Sequence, residues 1–270
     1  MSKNKYEYKF GLLGVGKMGS AILGGLINKD IYKPEEIVIY TLEEDIKEKY
    51  KKQGINIAND EIDLFNSSSV TLMAIKPQIY DSVLEKVKGN YNNKTIISIA
   101  PGKKIEYLES FFKDAFIVRA MPNTPALINQ AMITYAVNNE SEEEKIEEAK
   151  KIFSSIGKSI VLEEWQIDEA IPLNGSMPAY IFKFAKDFID CGIGHGLSEE
   201  KAKELALNSI IGSSLLALSS PDDLQTLINN VCSKGGTTIA GLKKLEENGF
   251  TASIQACFDA CVNRSKELGE

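Results

Sequence analysis

The sequence has few of the residues that usually carry acid–base, metal or disulfide chemistry. Its 270 residues include one histidine and four cysteines. Four cysteines in a chain of this length do not make a disulfide framework. Cys257 and Cys261 share one helix face, but no further cysteine or histidine lies near them in the sequence to complete a metal shell. We therefore predict no metal site and place these two cysteines in the core.

An excess of positive charge and a long apolar run are also absent from the sequence. The formal net charge is −7, and lysines and arginines are interspersed with acidic residues, which argues against nucleic acid as a partner. No stretch approaches the roughly 20 apolar residues of a membrane span, and residues 1–5 lack the apolar run of a signal peptide. We therefore expect a cytoplasmic protein without a membrane partner.

The first motif that is present is a glycine-rich turn near the N-terminus. A predicted strand over residues 6–13 leads into Gly-Val-Gly-Lys-Met-Gly at residues 14–19, and an apolar helix follows over residues 20–28. Gly14 allows the tight turn, Gly16 lets the backbone approach a pyrophosphate, and Gly19 lets the helix sit close to the strand. Free N–H groups at the start of the helix then face the phosphates. The motif predicts dinucleotide binding.

Strands and helices alternate from this motif to residue 163. Further strands are predicted over residues 36–40, 70–75, 95–99, 115–119, 131–137 and 158–162, with helices over residues 43–53, 78–88 and 103–112. A capping-box pattern, Ser141-x-x-Glu144, starts one more helix that ends at Gly157. This alternation predicts an α/β fold with a doubly wound parallel sheet of the Rossmann type, a dinucleotide-binding domain over residues 1–163.

Only helical periodicity follows, which predicts a helical domain over residues 164–270. Its helices are expected over residues 179–191, 199–218, 222–232, 239–248 and 251–268, with Ser198 as the cap of the second. The segment 205–218 is apolar nearly all round. One side of such a helix can pack within the helical domain, but the opposite apolar side also needs a surface that buries it. We therefore expect a homodimer built on these helices.

The scarcity of histidine bears on the type of reaction. His195 lies in a glycine-rich stretch between two predicted helices, which favours a helix end over a catalytic role. Carbonyl reduction commonly needs a proton donor such as histidine, whereas a protonated imine yields a neutral amine directly on hydride addition. Lys76, at the end of a predicted sheet strand, is the other candidate donor. It is equally well explained as a cation near cofactor phosphates or as a solvated side chain.

Two further segments carry polar residues at predicted ligand edges. Residues 119–126 contain two prolines directly after a strand, which predicts an irregular turn that presents Asn123 and Thr124 to the cofactor crevice, or else a rigid interdomain turn. Residues 233–239 place Gly235 and Gly236 before a helix whose first turn carries two threonines. This segment predicts a carboxylate site, with a plain capped helix as the alternative.

At these residues the chain resembles the pyrroline-5-carboxylate reductase family, and the resemblance covers essentially the whole chain. It is carried by residues 14–19, 74–78, 98–100, 119–126, 175–180 and 235–239. It implies reduction of the cyclic imine L-1-pyrroline-5-carboxylate to L-proline, the last step of proline biosynthesis, with NADPH or NADH. It also implies dimers with interlocked helical domains, often assembled into decamers.

The resemblance also assigns roles to individual residues. Thr238 is expected beside the ring nitrogen as the catalytic residue. The cofactor-binding residues are then Gly14, Val15, Gly16, Lys17, Met18, Gly19, Thr41, Ala74, Ile75, Lys76, Pro77 and Asn123. The substrate-binding residues are Ser176, Asn230, Gly235, Gly236, Thr237 and Thr238.

The chain departs from the family pattern at a few positions. Asn174 and Met177 are larger than the usual residues and are expected to reshape the pocket, while Lys234 replaces a proline and adds a cation beside the carboxylate site. Residues 41–45, Thr-Leu-Glu-Glu-Asp, follow the second strand without a basic group, and carboxylates there repel a 2′-phosphate. We therefore predict that NADH is used at least as well as NADPH.

Two other functions remain open from the sequence. A β-hydroxyacid dehydrogenase or related reductase also joins a Rossmann domain to a helical domain, and Lys183 or Lys186 would have to be its catalytic lysine. A dinucleotide-binding regulator that has lost turnover through Asn174, Met177 and Lys234 is the non-enzymatic alternative.

Overall fold

A computed structural model describes residues 6–91 and 94–269 of the chain. Its core is an eight-stranded sheet in the order β3-β2-β1-β4-β5-β6-β7-β8. The strands are β1 Tyr8–Leu13, β2 Ile37–Tyr40, β3 Asn56–Ile57, β4 Ser68–Met73, β5 Thr95–Ser98, β6 Phe116–Met121, β7 Ala131–Val137 and β8 Gly157–Val161. Because β1 pairs in parallel with both β2 and β4, the direction of winding reverses between β1 and β4. This is the topological switch point at which doubly wound sheets bind ligands.

Helices cover both faces of this sheet. They are α1 Lys17–Asn28, α2 Glu44–Lys51, α3 Glu61–Ser67, α4 Tyr80–Val87, α5 Ile105–Glu109, α6 Glu143–Ser154 and α7 Glu164–Ala170. Alternate strand residues enter two separate cores, since Phe10 and Leu12 pack with α1 and α6 on one face while Leu13 lies in the cluster of the other face. The predicted Rossmann-type fold class is confirmed.

One strand pair differs from the predicted all-parallel sheet. β6 and β7 are antiparallel, with Val118 opposite Val137. A parallel connection needs a crossover of about a dozen or more residues, and only residues 122–130 separate the two strands. A 3₁₀ turn over Thr124–Ile128 and the left-handed Asn129, at φ 58°, reverse the chain within that length.

Three short elements were missed in the sequence analysis, and two local predictions are wrong. β3, α3 and α7 have at most seven residues each, too few for a periodic pattern to show. The predicted capping box at Ser141 does not form, since α6 begins at Glu143 with Glu142 as its N-cap. Gly157 does not end that helix but starts β8, where a Cβ would lie 2.0 Å from the Ala131 carbonyl oxygen.

A buried lysine closes the end of α3. The Lys94 side chain is 1% exposed, and its Nζ donates to the Phe65 carbonyl oxygen at 2.6 Å. The Phe65 ring lies 5.0 Å from the same nitrogen. Carbonyl oxygens at a helix C-terminus attract a cation, but burial outweighs this and lowers the pKa of Lys94 to about 7.

The chain divides into two compact units. Residues up to Ser176, together with the end of the chain from Cys261, form the first unit, and Met177–Ala260 forms the second. The first unit thus extends beyond the boundary predicted at residue 163, which marks the end of the strands, because α7 and a 3₁₀ turn over Ile171–Leu173 belong to it. The remaining helices are α8 Met177–Gly194, α9 Glu199–Ser219, α10 Leu224–Val231, α11 Thr237–Glu247 and α12 Phe250–Gly269.

The second unit has the exposed apolar surface that the sequence predicts. α9 begins at its predicted cap, where the Ser198 side chain accepts from the Lys201 N–H. Along it, Leu205, Leu215 and Leu218 are 59%, 60% and 80% exposed. The described residues leave these side chains largely uncovered, as expected for a surface that another molecule covers. Within residues 6–91 and 94–269, no helix has the length and apolarity needed to cross a membrane.

Candidate active site

In the turn after β1, each glycine has the geometry that its predicted role requires. Gly14 has φ +86°, and a Cβ there would lie 2.9 Å from the Ala74 carbonyl oxygen. A Cβ on Gly19 would lie 2.4 Å from the Gly14 carbonyl oxygen, so only glycine allows α1 to start this close to β1. Gly16 has open space where its Cβ would be, with no atom within 4 Å. The room that a pyrophosphate needs is therefore present at Gly16.

The start of α1 is also suited to an anion. Gly16 is its N-cap and makes no side-chain cap, and the first turn contains no acidic residue. The first intrahelical bond runs from the Ser20 N–H to the Gly16 carbonyl oxygen at 2.8 Å. The N–H groups of Lys17, Met18 and Gly19 therefore precede the helical ladder, where a dinucleotide phosphate can accept from them.

The other predicted cofactor residues lie along the same edge of the sheet. The Gly14 N–H donates to the Tyr40 carbonyl oxygen at 2.9 Å, and the Ala74 N–H donates to the Leu13 carbonyl oxygen at 2.8 Å. These bonds join the ends of β1, β2 and β4, so that the glycine turn, Thr41 and residues 74–77 are neighbours. Thr41 is buried at 8% exposure, and Lys76 is exposed at the start of a 3₁₀ turn.

The end of β2 carries negative charge. Glu43 is the N-cap of α2, and Glu44 and Asp45 form its first turn, all three exposed. Lys47 is the nearest basic residue in the sequence, and its Nζ forms a salt bridge with Glu44 at 2.6 Å. Because this cation is already paired, the local charge disfavours a cofactor that bears a 2′-phosphate.

Arg119, at the start of the proline-rich segment, is held by residues that the sequence analysis missed. It is 1% exposed, and its guanidinium donates to Glu164 at 3.2 Å and to Asp168 at 2.8 Å. The Ser265 hydroxyl donates to the same Asp168 oxygen at 3.0 Å. The network thus ties β6 to α7 and to the end of α12 within the first unit. In the sequence, the only sign of this network is an arginine at the end of the strand predicted over residues 115–119.

Asn123 does not present a free side chain. Its Nδ2 donates to the Asn174 carbonyl oxygen at 3.2 Å, and its Oδ1 accepts from the Met132 N–H at 3.0 Å. The Asn174 side chain, expected in the pocket, is 3% exposed and donates instead to the Met121 carbonyl oxygen at 2.6 Å. Asn174 therefore acts inside the first unit. Thr124 is exposed, and the cofactor contact of Asn123 stays a prediction.

In the second unit, the glycine pair before α11 forms a sharp turn into the helix. Gly235 has φ +73°, and Gly236 is the N-cap of α11, again without a side-chain cap and without an acidic residue in the first turn. Thr237 and Thr238 supply that first turn, with Thr238 half-buried. The Gly236 N–H donates to the Ser233 carbonyl oxygen at 2.9 Å, and the N–H groups of Thr237 and Thr238 precede the first intrahelical bond, from the Ala240 N–H to the Gly236 carbonyl oxygen. The carboxylate site at this helix start stays a prediction.

The remaining predicted residues are placed as follows. Asn230 is exposed near the end of α10, and Lys234 is exposed beside the glycine pair. Ser176, in the first unit, has its Oγ 3.3 Å from Cys261 Sγ. His195 is exposed just after α8, where its N–H donates to the Cys191 carbonyl oxygen at 3.1 Å, which is the predicted helix end.

The strand order and the glycine turn at the switch point, followed by a helical region, define a Rossmann-type dinucleotide-binding protein. Residues 164–268 match the family model for pyrroline-5-carboxylate reductase dimerisation, and residues 9–102 match the model for NADP oxidoreductase, coenzyme F420-dependent. The chain is 35% identical to the pyrroline-5-carboxylate reductase of Synechocystis sp., over 97% of this chain and 98% of that protein. It is 33% identical to the Escherichia coli enzyme, over 98% and 99%. The chain belongs to the pyrroline-5-carboxylate reductase family.

Solved structures agree with this membership. The Plasmodium falciparum pyrroline carboxylate reductase with NADP bound has a TM-score of 0.88 and 32% identity, and the match covers 98% of this chain and 100% of that one. The Coxiella burnetii enzyme has a TM-score of 0.90 and 29% identity, with 98% and 99% covered.

Proposed function

We propose that this protein reduces L-1-pyrroline-5-carboxylate to L-proline with NADPH or NADH. The proposal rests on 35% identity over 97% of the chain to a pyrroline-5-carboxylate reductase. The chain also has a glycine N-cap at the start of both α1 and α11. When bound, the reduced dinucleotide supplies the hydride. The N–H groups of residues 17–19 hold its pyrophosphate, and Thr41 and residues 74–77 flank it.

The start of α11 is the proposed substrate site. The Gly236 N–H already donates to the Ser233 carbonyl oxygen at 2.9 Å, so the N–H groups of Thr237 and Thr238 are the ones from which the substrate carboxylate can accept. The Thr238 hydroxyl is the proposed hydrogen-bond partner of the ring nitrogen. Ser176 and Asn230 are the further proposed contacts. In the protonated imine the carbon of the C=N bond accepts the hydride, and the π electrons pass to nitrogen as its lone pair. The product is a neutral secondary amine, so no histidine is needed as proton donor.

We also propose that the chain forms a homodimer through its helical unit. The exposed leucines of α9 and the match to a dimerisation model support a second copy of the chain as the cover. The decamer implied by the family resemblance and the cytoplasmic location stay predictions.

The hydroxyacid dehydrogenase alternative is less well supported. Lys183 and Lys186 are exposed on α8 and form salt bridges with Asp187 and Asp190, four residues further on. Pairing with Asp190 raises the pKa of Lys186, which is the opposite of what a lysine that gains and loses protons near neutral pH requires.

A turnover assay with the cyclic imine tests the proposal. We expect oxidation of NADPH or NADH that depends on the imine, with L-proline as the product. A 3-hydroxy acid with the oxidised cofactor tests the dehydrogenase alternative in parallel. Turnover of the hydroxy acid alone would contradict the proposal, and cofactor binding without either turnover would favour the regulator.

A further inference from the structure

Two asparagines form a reciprocal clamp across the end of β6. Asn174 Nδ2 donates to the Met121 carbonyl oxygen at 2.6 Å and to Thr134 Oγ1 at 3.3 Å. Asn123 Nδ2 donates in return to the Asn174 carbonyl oxygen at 3.2 Å. Each side chain therefore binds the backbone of the other's segment. Both residues are nearly inaccessible, at 3% and 9% exposure.

The segment held by this clamp continues into a 3₁₀ turn, in which the Ala126 N–H donates to the Asn123 carbonyl oxygen at 3.1 Å. Pro122 and Pro125 have no N–H to donate. The Asn123 Oδ1 accepts from the Met132 N–H at 3.0 Å, which ties the turn to β7. Removal of the Asn174 amide would leave the Met121 carbonyl oxygen, inside the protein, without this donor. Together with the β6–β7 pairing at Met121, the clamp holds residues 121–124 in place.

The position of the turn relates it to the reacting end of the cofactor. Residues 122–124 follow the carboxyl end of β6, which is three strands beyond β1 on the side away from β2. In a sheet of this order the adenosine half of a dinucleotide lies on the β2 side of the switch point and the nicotinamide half on the other side. The clamp also holds Gly175, where an added Cβ would contact Met121 at 3.8 Å, next to Ser176.

The amide of Asn174 is oriented at a cost. Its Oδ1 has no hydrogen-bond partner among the residues that the structure describes. The opposite orientation of the amide would place Oδ1 against the Met121 carbonyl oxygen, so the donor side is the one that the site requires. A buried acceptor is left unpaired to keep this bond.

We propose that Asn174 is a positioning residue for hydride transfer, acting through the turn over residues 121–124. The proposal rests on the proposed imine reduction. It predicts that Asn174 affects the geometry of the reacting end of the cofactor and not the binding of its phosphates.

The test compares Asn174→Ala, which removes the donor, with a matched control at the other end of β6. Asn138 is a half-buried asparagine whose Oδ1 accepts from the Ile117 N–H at 2.9 Å and whose Nδ2 donates to the Ala115 carbonyl oxygen at 3.1 Å. Asn138→Ala therefore removes an equivalent set of backbone contacts far along the strand from the turn. Thermal unfolding shows how much stability each variant loses.

The kinetic readout is the primary isotope effect with cofactor deuterated at the transferred position. We expect Asn174→Ala to lower kcat on the order of 10- to 100-fold, since small misplacements of reacting groups have effects of this size. The cofactor KM should stay within about threefold, and the isotope effect should increase. A loss of folded protein lowers kcat but leaves the isotope effect unchanged. Asn138→Ala should keep the wild-type isotope effect.

Hydrogen exchange provides a readout that does not require turnover. In Asn174→Ala, peptides that cover residues 119–134 should exchange faster than in the wild type. If Asn174→Ala does not fold, Asn174→Asp keeps the size of the side chain. Its carboxyl group donates to the Met121 carbonyl oxygen only when protonated, so its kcat relative to the wild type should rise as the pH falls towards 5.

The outcomes separate this proposal from the proposed function. A wild type inactive on the imine refutes the function, while hydrogen exchange still decides whether the clamp exists. An active wild type with equal isotope effects in both alanine variants overturns the positioning role. Unchanged exchange at residues 119–134 overturns the clamp itself, and so does an Asn174→Asp protein whose kcat is as low as that of Asn174→Ala at every pH.

Discussion

Gly16→Val is the substitution that most directly separates cofactor binding from folding. Gly16 has φ −73° and ψ −167°, an extended conformation that valine adopts readily, and no atom lies within 4 Å of its ideal Cβ position. The free energy of unfolding should therefore change by no more than about 0.5 kcal/mol, as for surface substitutions without special contacts. The same open space is where the pyrophosphate must lie, so the valine methyl groups exclude it.

The loss of affinity follows from the bonds that the phosphates would lose. Hydrogen bonds to a charged group are worth roughly 1.5–3 kcal/mol each. Displacing the pyrophosphate from two N–H groups of the turn therefore costs about 3–6 kcal/mol, which raises the cofactor Kd by about two to four orders of magnitude. Fluorescence titration with NADH measures Kd, and thermal unfolding measures stability.

Gly19→Ala is the matched control for this experiment. Its Cβ would lie 2.4 Å from the Gly14 carbonyl oxygen, so this variant should lose stability, although it adds only one methyl group. A Gly16→Val protein with a Kd within threefold of the wild type would refute the placement of the cofactor. Strong destabilisation by Gly16→Val would refute the open space at the turn.

Four further predictions concern the substrate, the assembly, the cofactor and pH. Thr238→Ala should lower kcat/KM by on the order of 30- to 1000-fold with unchanged cofactor affinity, while His195→Ala keeps near-normal activity; the reverse pattern would move proton handling away from the α11 turn. Leu215→Asp should weaken the dimer by several kcal/mol, because it strands a charge in an apolar interface, and a stable wild-type monomer in sedimentation at micromolar concentration would contradict the dimer. NADH should be used at least as well as NADPH because of the carboxylates that begin with Glu43; a hundredfold preference for NADPH in kcat/KM would show this is wrong. The pKa of Lys94 is about 7 in the folded protein, so above pH 7 the unfolded chain binds more protons than the folded one and the wild type gains stability as the pH rises. Lys94→Met should therefore stabilise the protein most at pH 6, and its advantage in free energy of unfolding should shrink by about 2–4 kcal/mol towards pH 10. A difference in free energy of unfolding that stays constant with pH would exclude a buried neutral lysine.

The local patterns of the sequence were sufficient for most of the fold. The glycine turn between a strand and a helix, the alternation that follows it and the helical periodicity after residue 163 all depend on neighbours in the chain, and the structure confirms them. Glycine is similarly informative, because the geometry of a tight turn at Gly14 or Gly235 is a property of a few consecutive residues. The cofactor-binding residues predicted at the ends of β1, β2 and β4 could also be found from the sequence, because the carboxyl ends of parallel strands meet at one edge of the sheet.

Contacts between distant segments could not be obtained in this way. The sequence gives no sign that β7 reverses direction against β6, or that Gly157 is needed because β8 passes close to Ala131. Asn174 provides the clearest case. Its size relative to the family pattern suggested a pocket residue, whereas the structure turns it inward, to the Met121 carbonyl oxygen 53 positions away.

The physical reason is the range of the interactions involved. Periodicity and turn chemistry report which face of an element is buried, and they do so from spacing alone. The partner of a buried polar group, by contrast, is whichever donor or acceptor the folded chain brings within about 3 Å, and that depends on the packing of whole elements. For this protein the sequence by itself determined the fold class and the glycine turns, while only the tertiary structure decided how Arg119, Asn123 and Asn174 are bonded.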